Sequence, residues 1–191
     1  MGRKEIEIQV QIENSSKLIS FLEKQAKFIG EQHQIDTYFT PSHRDFTSVR
    51  PILEWLRLRK SGKKYSINYK KWHYEKDGRS HFCDEYESEV TDFKQLKNIF
   101  GALNLKKLVT VDKIRKIWIY EDYEISVDSI KGLGDFVEVE YKGSLAKVKP
   151  ATIVREMSEF LKRFDPGKIS RNYQGYAFML LFPNEVETEN V

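Results

Sequence analysis

The sequence is poor in cysteine and has no long apolar run. Its single cysteine, Cys83, cannot form an intramolecular disulfide, and there is no cysteine cluster that could bind a structural metal. The longest apolar run, from Ala177 to Phe182, is far shorter than the ~20 residues that span a bilayer. No apolar stretch of the kind found in a secretory signal follows Met1. These absences predict a cytoplasmic protein that makes no membrane contact.

The sequence also lacks an excess of charge of one sign. It has 32 basic and 29 acidic residues, for a net charge of +3, which argues against a nucleic-acid partner. A chain of 191 residues with 40% hydrophobic and 32% charged residues can fold around its own core. It shows neither an internal repeat nor a long linker. We therefore predict one domain over residues 1–183 and a polar, disordered tail over residues 184–191.

Alternation of apolar and charged residues is the main structural signal. In the first strand, residues 4–13, the apolar face is Ile6, Ile8, Val10 and Ile12, and the other face carries acids and amides. The remaining strands are predicted over residues 35–39, 53–60, 65–72, 80–90, 109–120, 123–130 and 136–142. Helices are predicted over residues 16–30, 92–103, 150–164 and 170–182. The fold class is α+β, with an antiparallel sheet.

Long charged residues occupy one side of most of these strands, and each strand carries mainly one sign. The first, fifth and eighth strands are acidic there, and the third and sixth are basic. An antiparallel sheet with one face on helices and one face in water is the commoner arrangement. A solvated face, however, has no need for segregated charges. A closed barrel whose interior binds metal through carboxylates and a polyanion through Arg and Lys would need them.

Several motifs, in this order, resemble the CYTH family. They are Glu5-x-Glu7, Asp36-Thr37-Tyr38-Phe39, Leu56-Arg57-Leu58-Arg59 before a strand with Lys70, Lys113-x-Arg115, the stretch Ser126 to Glu140 and the region around Asn172-Tyr173. The family includes class IV adenylyl cyclases and thiamine triphosphatases, which with related tripolyphosphatases are the triphosphate tunnel metalloenzymes. The resemblance covers residues 4–182. It implies a single-domain, eight-stranded, closed antiparallel β-tunnel with helices packed outside.

The resemblance also implies roles for the charged residues. Glu5, Glu7, Glu138 and Glu140 would bind Mg²⁺ or Mn²⁺, which prefer hard oxygen ligands. The substrate, ATP or another triphosphate, would be bound by Gln9, Arg57, Arg59, Lys70, Lys113 and Arg115. The catalytic residues would be Glu5, Glu7, Lys70 and Asp128. The roles of Glu87 and Glu89 are left open, and homodimers are common in the family. Removing Arg57 or Arg115 is expected to relieve repulsion among these cations in the ligand-free protein.

One residue departs from the family pattern. The family has lysine at the third charged position of the first strand, and this chain has Gln9, a neutral amide. Three hypotheses follow. The preferred one is a class IV adenylyl cyclase that converts ATP to cyclic AMP and pyrophosphate. The alternatives are a triphosphatase acting on tripolyphosphate, thiamine triphosphate or a nucleotide, and a non-catalytic binder of nucleotides or polyphosphate, which Gln9 would favour.

Overall fold

The computed structural model describes residues 6–74, 80–144, 149–164, 166–172 and 174–190. They form two compact units. The middle unit holds the described residues of Gln34–Asp112, and the flanking unit holds those of Glu5–His33 and Lys113–Val191. Among the described residues, no helix is long and apolar enough to cross a membrane.

The elements follow one another in an α+β order. They are β1 (Glu7–Ile12), α1 (Ser16–Gln25), β2 (Lys27–Pro41), β3 (Glu54–Ser61), β4 (Lys64–Tyr74), β5 (Ser80–Glu89), α2 (Phe93–Ala102), β6 (Leu105–Tyr120), β7 (Tyr123–Ile130), β8 (Gly134–Tyr141), α3 (Pro150–Lys162), β9 (Ile169–Asn172), α4 (Gly175–Leu181) and β10 (Thr188–Asn190). A short 3₁₀ helix, Pro183–Glu185, precedes β10. The order strand, helix, three strands occurs twice, from β1 to β4 and from β5 to β8, although the sequence shows no repeat.

The flanking unit has a helix-covered face and a polar face. Its strands follow the order β10-β9-β1-β8-β7-β6, and the β9-β1-β8-β7-β6 pairings are antiparallel. Alternate residues of β1, β7 and β8, such as Ile8, Val127 and Val139, are buried against Leu22 of α1 and Met157 of α3. Because strand side chains alternate, the residues between them lie on the opposite face. The predicted acid and amide positions of β1 are on this polar face.

The middle unit is arranged in the same way. β3 pairs with β2 and with β4, and β4 pairs with β5, all antiparallel. Asp92 caps α2 by accepting a hydrogen bond from the Gln95 backbone N–H at 2.9 Å. Phe100 of α2 is buried against Phe39, with ring centroids 5.1 Å apart. α2 packs on the apolar face, and the opposite face carries charged residues of all three strands: Arg57, Arg59, Lys70, Glu85, Glu87 and Glu89.

The structure confirms all eight predicted strands and corrects two of the four predicted helices. The helix predicted over residues 16–30 ends at Gln25, and β2 begins at Lys27. Phe28 has helical spacing from Leu18 and Leu22, yet its ring packs on Trp118 of β6 at a centroid distance of 5.3 Å. β2 and β6 are neighbours in the sheet, so pairing between strands replaces the last turns of the predicted helix.

The carboxyl-terminal region needs the second correction. The helix predicted over residues 170–182 is instead β9 followed by α4, because residues 169–171 pair with β1. Within the predicted disordered tail, Thr188–Asn190 forms β10 and pairs with β9. The sheet therefore has ten strands rather than eight. Its order begins at β10 and ends at β5, and no pairing among the described residues closes it. The closed tunnel stays a prediction.

Candidate functional site

Charged side chains meet on the polar face of the flanking unit. Lys113 and Arg115 lie two residues apart on β6, Asp128 is opposite Arg115 on β7, and Glu138 is on β8. The residues at the alternate positions of the same strands, such as Trp118 of β6 and Val127 of β7, belong to the core. The alternation that builds this core therefore places all four charges on the other face. We call these four residues the flanking charge cluster.

Asp128 is the centre of the flanking charge cluster. Its side chain is fully buried. Arg115 donates two parallel hydrogen bonds to it, Nε to Oδ1 at 2.6 Å and Nη2 to Oδ2 at 2.5 Å. Lys113 Nζ donates to Oδ2 at 3.0 Å, and only 4% of the Lys113 side chain is exposed. Asp128 and Lys113 are therefore buried as charged groups, and Arg115 is mostly buried beside them. A charge in such a place is costly unless it is paired.

The cluster shifts the protonation of its members. Burial is the largest influence on the pKa of Asp128 and would raise it, but the Arg115 hydrogen bonds and the Lys113 and Arg115 charges together lower the pKa. Burial lowers the pKa of Lys113, and the nearby Arg115 charge lowers it further. Asp128 is therefore ionised near neutral pH and is a weak proton acceptor.

Glu138 extends the cluster towards β1. Arg115 Nη2 donates to Glu138 Oε2, and Gln9 Nε2 donates to Glu138 Oε1 at 2.9 Å. Gln9 and Glu138 are directly opposite each other in the β1–β8 pairing, which accounts for this contact. A neutral amide thus donates one hydrogen bond to a carboxylate at the position where the family pattern has a cation. Burial would raise the pKa of Glu138, but the charges of Arg115 and Lys113 hold it below its usual range.

Tyr176 of α4 is a member of the site that the sequence analysis missed. Its hydroxyl oxygen lies 3.0 Å from Asp128 Oδ2 and 3.0 Å from Glu138 Oε1. The Lys113 ammonium lies over its ring, 4.9 Å from the centroid. Burial and the two carboxylates raise the pKa of Tyr176 well above its ordinary value, so the hydroxyl is a donor. A tyrosine inside an apolar helix was the available signal, because a buried hydroxyl needs a partner.

The predicted metal ligands fit a divalent ion in chemistry and in register. Glu7 and Glu140 are directly opposite each other on β1 and β8, on the same face as Glu138. Glu7 is exposed, and Glu140 forms an ion pair with Lys142. Glu5 lies outside the described residues. Within the described ranges, no three His, Cys, Asp or Glu side chains are already arranged around one point as a metal site. The carboxylate donors are suited to Mg²⁺ or Mn²⁺.

The predicted phosphate-binding arginines belong to the middle unit. Arg59 donates to Asp36 of β2 through Nε at 2.7 Å and through Nη2 at 2.6 Å. Arg57 Nη1 is 3.5 Å from the same carboxylate. Asp36 is 3% exposed. It belongs to the motif Asp36-Thr37-Tyr38-Phe39, in which the resemblance implied no role for the aspartate. The structure brings both arginines to the polar face, each in contact with this buried aspartate.

Lys70 and the acidic strand β5 form the remaining predicted contacts. Lys70 Nζ is 3.2 Å from Glu85 Oε2, and Asn68 Nδ2 donates to Glu85 Oε1 at 2.6 Å. Glu87 accepts a hydrogen bond from the Ser66 hydroxyl, and Glu89 is exposed. The carboxylate that pairs with Lys70 is therefore Glu85, which sequence reasoning passed over. Glu85 is opposite Lys70 in the β4–β5 register, a relation that the sequence does not reveal.

The chain is similar to an archaeal protein in sequence and to another archaeal protein in structure. It is 34% identical over 165 residues, 86% of this chain and 91% of the relative, to MJ0240 of Methanocaldococcus jannaschii, whose adenylate cyclase name is provisional. The PH1012 structure from Pyrococcus horikoshii has 25% identity and a TM-score of 0.63, over 85% of this chain and 91% of that one.

A further structural relative shares the fold at low identity. HpAC1 from Hippeastrum, provisionally named an adenylyl cyclase, reveals a dominant triphosphatase activity. It has 17% identity and a TM-score of 0.63, and the match covers 94% of this chain and 95% of that one. The model of the CYTH domain matches residues 3–173. With nearly the whole chain matched, and with the described carboxylates and cations of the resemblance on polar faces, the protein belongs to the CYTH domain family.

Proposed function

We propose that this protein is a metal-dependent enzyme that acts on a triphosphate, most specifically an adenylyl cyclase that converts ATP to cyclic AMP and pyrophosphate. The observation that carries the proposal is the flanking charge cluster. A lysine and an arginine fixed on the polar face by a fully buried carboxylate are costly for folding, which favours a functional reason for their presence. Their N–H groups suit phosphate oxygens.

The residues divide into three proposed roles. In the flanking unit, Lys113 and Arg115 bind phosphate oxygens, and Asp128 keeps them in place. Arg57, Arg59 and Lys70 of the middle unit are the further proposed phosphate ligands. Glu7, Glu138 and Glu140 would hold a divalent ion with Glu5, and that ion would neutralise phosphate charge and promote attack by an oxygen nucleophile.

The cyclase reaction needs few groups beyond these. The ribose 3′-oxygen forms a bond to the α-phosphorus while the bond from that phosphorus to the β-phosphate oxygen breaks, and pyrophosphate leaves with the bonding electrons. The hydroxyl proton passes to a base. Asp128 is poorly suited to that role because four hydrogen-bond contacts already use its oxygens. Cations that hold the phosphates lower the barrier as charge moves to the leaving group.

The second candidate is a triphosphatase, in which water attacks the terminal phosphorus. The activity of the Hippeastrum protein favours keeping it, because the two proteins share a fold. The name of the Methanocaldococcus relative favours the cyclase. Both reactions use the same cations and carboxylates and differ in which phosphorus faces the nucleophile.

The test is to identify the products. The protein is incubated with Mg²⁺ or Mn²⁺ and either ATP or tripolyphosphate, and the products are separated by ion-exchange chromatography. Cyclic AMP with pyrophosphate supports the cyclase, and orthophosphate supports the triphosphatase. Glu138→Gln should abolish either activity. Glu31→Gln is the matched control, because Glu31 is an exposed glutamate of the same unit, paired with Lys116. Binding of tripolyphosphate without any product would overturn both enzymatic assignments.

A further inference from the structure

A buried aspartate holds two predicted phosphate-binding arginines in the middle unit. Asp36 and Arg59 are directly opposite each other in the β2–β3 pairing. The Arg59 guanidinium donates through Nε and Nη2 to the two oxygens of the same carboxylate, at 2.7 and 2.6 Å. Arg57, two residues earlier on β3, approaches Oδ2 through Nη1 at 3.5 Å. One carboxylate thus touches both cations.

The flanking unit contains the same arrangement. Arg115 also donates through Nε and Nη2 to the two oxygens of the aspartate opposite it, Asp128, and Lys113, two residues earlier, approaches the same Oδ2. The order along the chain is reversed: the aspartate precedes the basic pair in the middle unit and follows it in the flanking unit. The same contact geometry therefore occurs in two different sequence contexts. This favours a common role for the two arrangements over an incidental ion pair.

The exposed atoms of this arrangement belong to the cations. The Asp36 side chain is 4% exposed, whereas the Arg59 and Arg57 side chains are 22% and 14% exposed. In addition, Arg57 Nε is buried and has no hydrogen-bond acceptor among the described residues. A buried donor without an acceptor is uncommon. The two guanidinium groups are therefore more exposed than the carboxylate that fixes them, and they are the part of the arrangement that a phosphate can reach.

We propose that Asp36 is a positioning residue that fixes the guanidinium planes of Arg59 and Arg57 for phosphate oxygens, an inference that rests on the proposed function. Asp36 has two opposing effects on a bound triphosphate. Its negative charge weakens the attraction of the pair, and its two hydrogen bonds keep the Arg59 fork in one orientation. Orientation dominates because phosphate recognition by arginine depends on two parallel hydrogen bonds of fixed geometry, and a misplaced group loses much of its contribution.

The first test is calorimetry with tripolyphosphate in the absence of divalent ions. Asp36→Asn keeps the size of the side chain but removes its charge, and we expect tripolyphosphate affinity to fall by about tenfold, on the scale of one lost hydrogen bond to a charged group. Asp84→Asn is the matched control, because Asp84 is an exposed aspartate of the same unit that pairs with His73. The control should bind as the wild type does. Unchanged or tighter binding by Asp36→Asn overturns the inference.

A double-mutant cycle separates positioning from a general structural role. Arg59 makes both short hydrogen bonds to Asp36, and Arg57 makes only the 3.5 Å contact. Asp36→Asn should therefore cause a much smaller loss of affinity in the Arg59→Ala background than in the wild type. A purely structural effect would persist there, and an equal loss in both backgrounds overturns the proposal.

A second variant keeps the inference testable if Asp36→Asn does not fold. Arg59→Lys keeps the charge beside Asp36 but loses the planar fork, so tripolyphosphate affinity should fall to a similar extent. Wild-type affinity in Arg59→Lys overturns the inference. Failure of the wild-type protein itself to bind tripolyphosphate would be a failure of the proposed function, and the two results are therefore distinguishable.

Discussion

At the scale of the residue, the unusual position is Gln9. Its amide donates to Glu138, a carboxylate that also accepts from Arg115 and lies next to Tyr176. The two cations and two carboxylates of the flanking charge cluster balance, so the cluster has no net charge before a ligand binds. A lysine at position 9, as in the family pattern, would add one positive charge at the carboxylate that the resemblance assigns to the metal.

Gln9→Lys should therefore have opposite effects on the two ligands. The added cation attracts phosphate, and we expect tripolyphosphate affinity to rise about tenfold, or ~1.4 kcal/mol. It also competes for Glu138, so Mn²⁺ affinity should fall. Calorimetry with each ligand measures both. Gln11→Lys, on the same face of β1, adds an equal charge where the native amide donates to the Leu133 carbonyl. If both variants gain the same affinity for tripolyphosphate, the effect comes from the added charge in general rather than from a contact at position 9.

The ion pairs of Arg115 with Asp128 and Glu138 predict the opposite of the expected relief of repulsion. Removing Arg115 leaves Asp128 fully buried with one cation fewer, so Arg115→Ala should lower the free energy of unfolding by about 3 kcal/mol. Thermal or urea unfolding of the ligand-free protein measures the change. Lys116→Ala is the neighbouring control, since Lys116 is partly exposed and 3.6 Å from Glu31, and should cost at most about 0.5 kcal/mol. A variant Arg115→Ala that melted above the wild type would restore the repulsion hypothesis.

At the scale of the element, the strands were predictable and their partners were not. Alternation identifies the face on which Lys70 lies, because the period of a strand is two residues. It does not reveal that Glu85, rather than Glu87 or Glu89, is opposite Lys70, because the register depends on the turn between β4 and β5. The start of β2 was missed for a similar reason. Phe28 continues the spacing of α1, and only its contact with Trp118 of the neighbouring strand shows that it belongs to the sheet.

The β4–β5 pair gives a pH prediction. Burial would raise the pKa of Glu85, but the Lys70 charge and the Asn68 hydrogen bond lower it below its ordinary value of 4.5. A carboxylate with a lowered folded-state pKa contributes stability above its unfolded pKa and loses that contribution as the pH falls through the folded-state pKa. Glu85→Gln should therefore be less stable than the wild type at pH 7, and the difference should disappear on acidification below the ordinary value.

The size of this effect is limited by solvent. Because Glu85 is 40% exposed, the difference at pH 7 should not exceed about 0.5 kcal/mol. Urea unfolding at a series of pH values measures it, with Glu87→Gln as the control for the loss of one negative charge from the same strand. A difference between Glu85→Gln and the wild type that stayed constant down to pH 3 would show that the Lys70 ion pair is not its source.

At the scale of the whole molecule, the family and the polar faces were predictable, and the ion pairing within them was not. The motifs around Glu7, Arg57 and Arg115 identified the family that the comparisons confirm. In the sequence, acidic and basic residues lie on different strands. This pattern suggested that the carboxylates bind a metal and that the cations bind a polyanion. In the folded chain, Asp128 and Asp36 each bind two of the cations. Pairing across strands depends on register and side-chain orientation, which a periodic pattern does not specify.

Metal binding can be tested on the whole chain without measuring activity. Glu7 lies at an exposed position opposite Glu140, so Glu7→Gln should keep the fold and weaken Mn²⁺ binding at least about tenfold, the loss typical of damage to a metal site. Calorimetry measures the affinity, and circular dichroism checks the fold. Glu31→Gln is again the control. Equal Mn²⁺ affinity in Glu7→Gln and the wild type would remove Glu7 from the metal site.

The position of Tyr176 in the chain has a consequence for where the domain can be cut. The family match ends at residue 173, before α4 begins at Gly175. A chain shortened at that boundary would keep Lys113, Arg115, Asp128 and Glu138 but lose the hydroxyl that lies within 3.0 Å of both carboxylates. The buried Asp128 carboxylate and the partly buried Glu138 carboxylate would then face each other without that donor. In this protein, the boundary of the shared domain and the boundary of the hydrogen-bonded cluster differ by one helix.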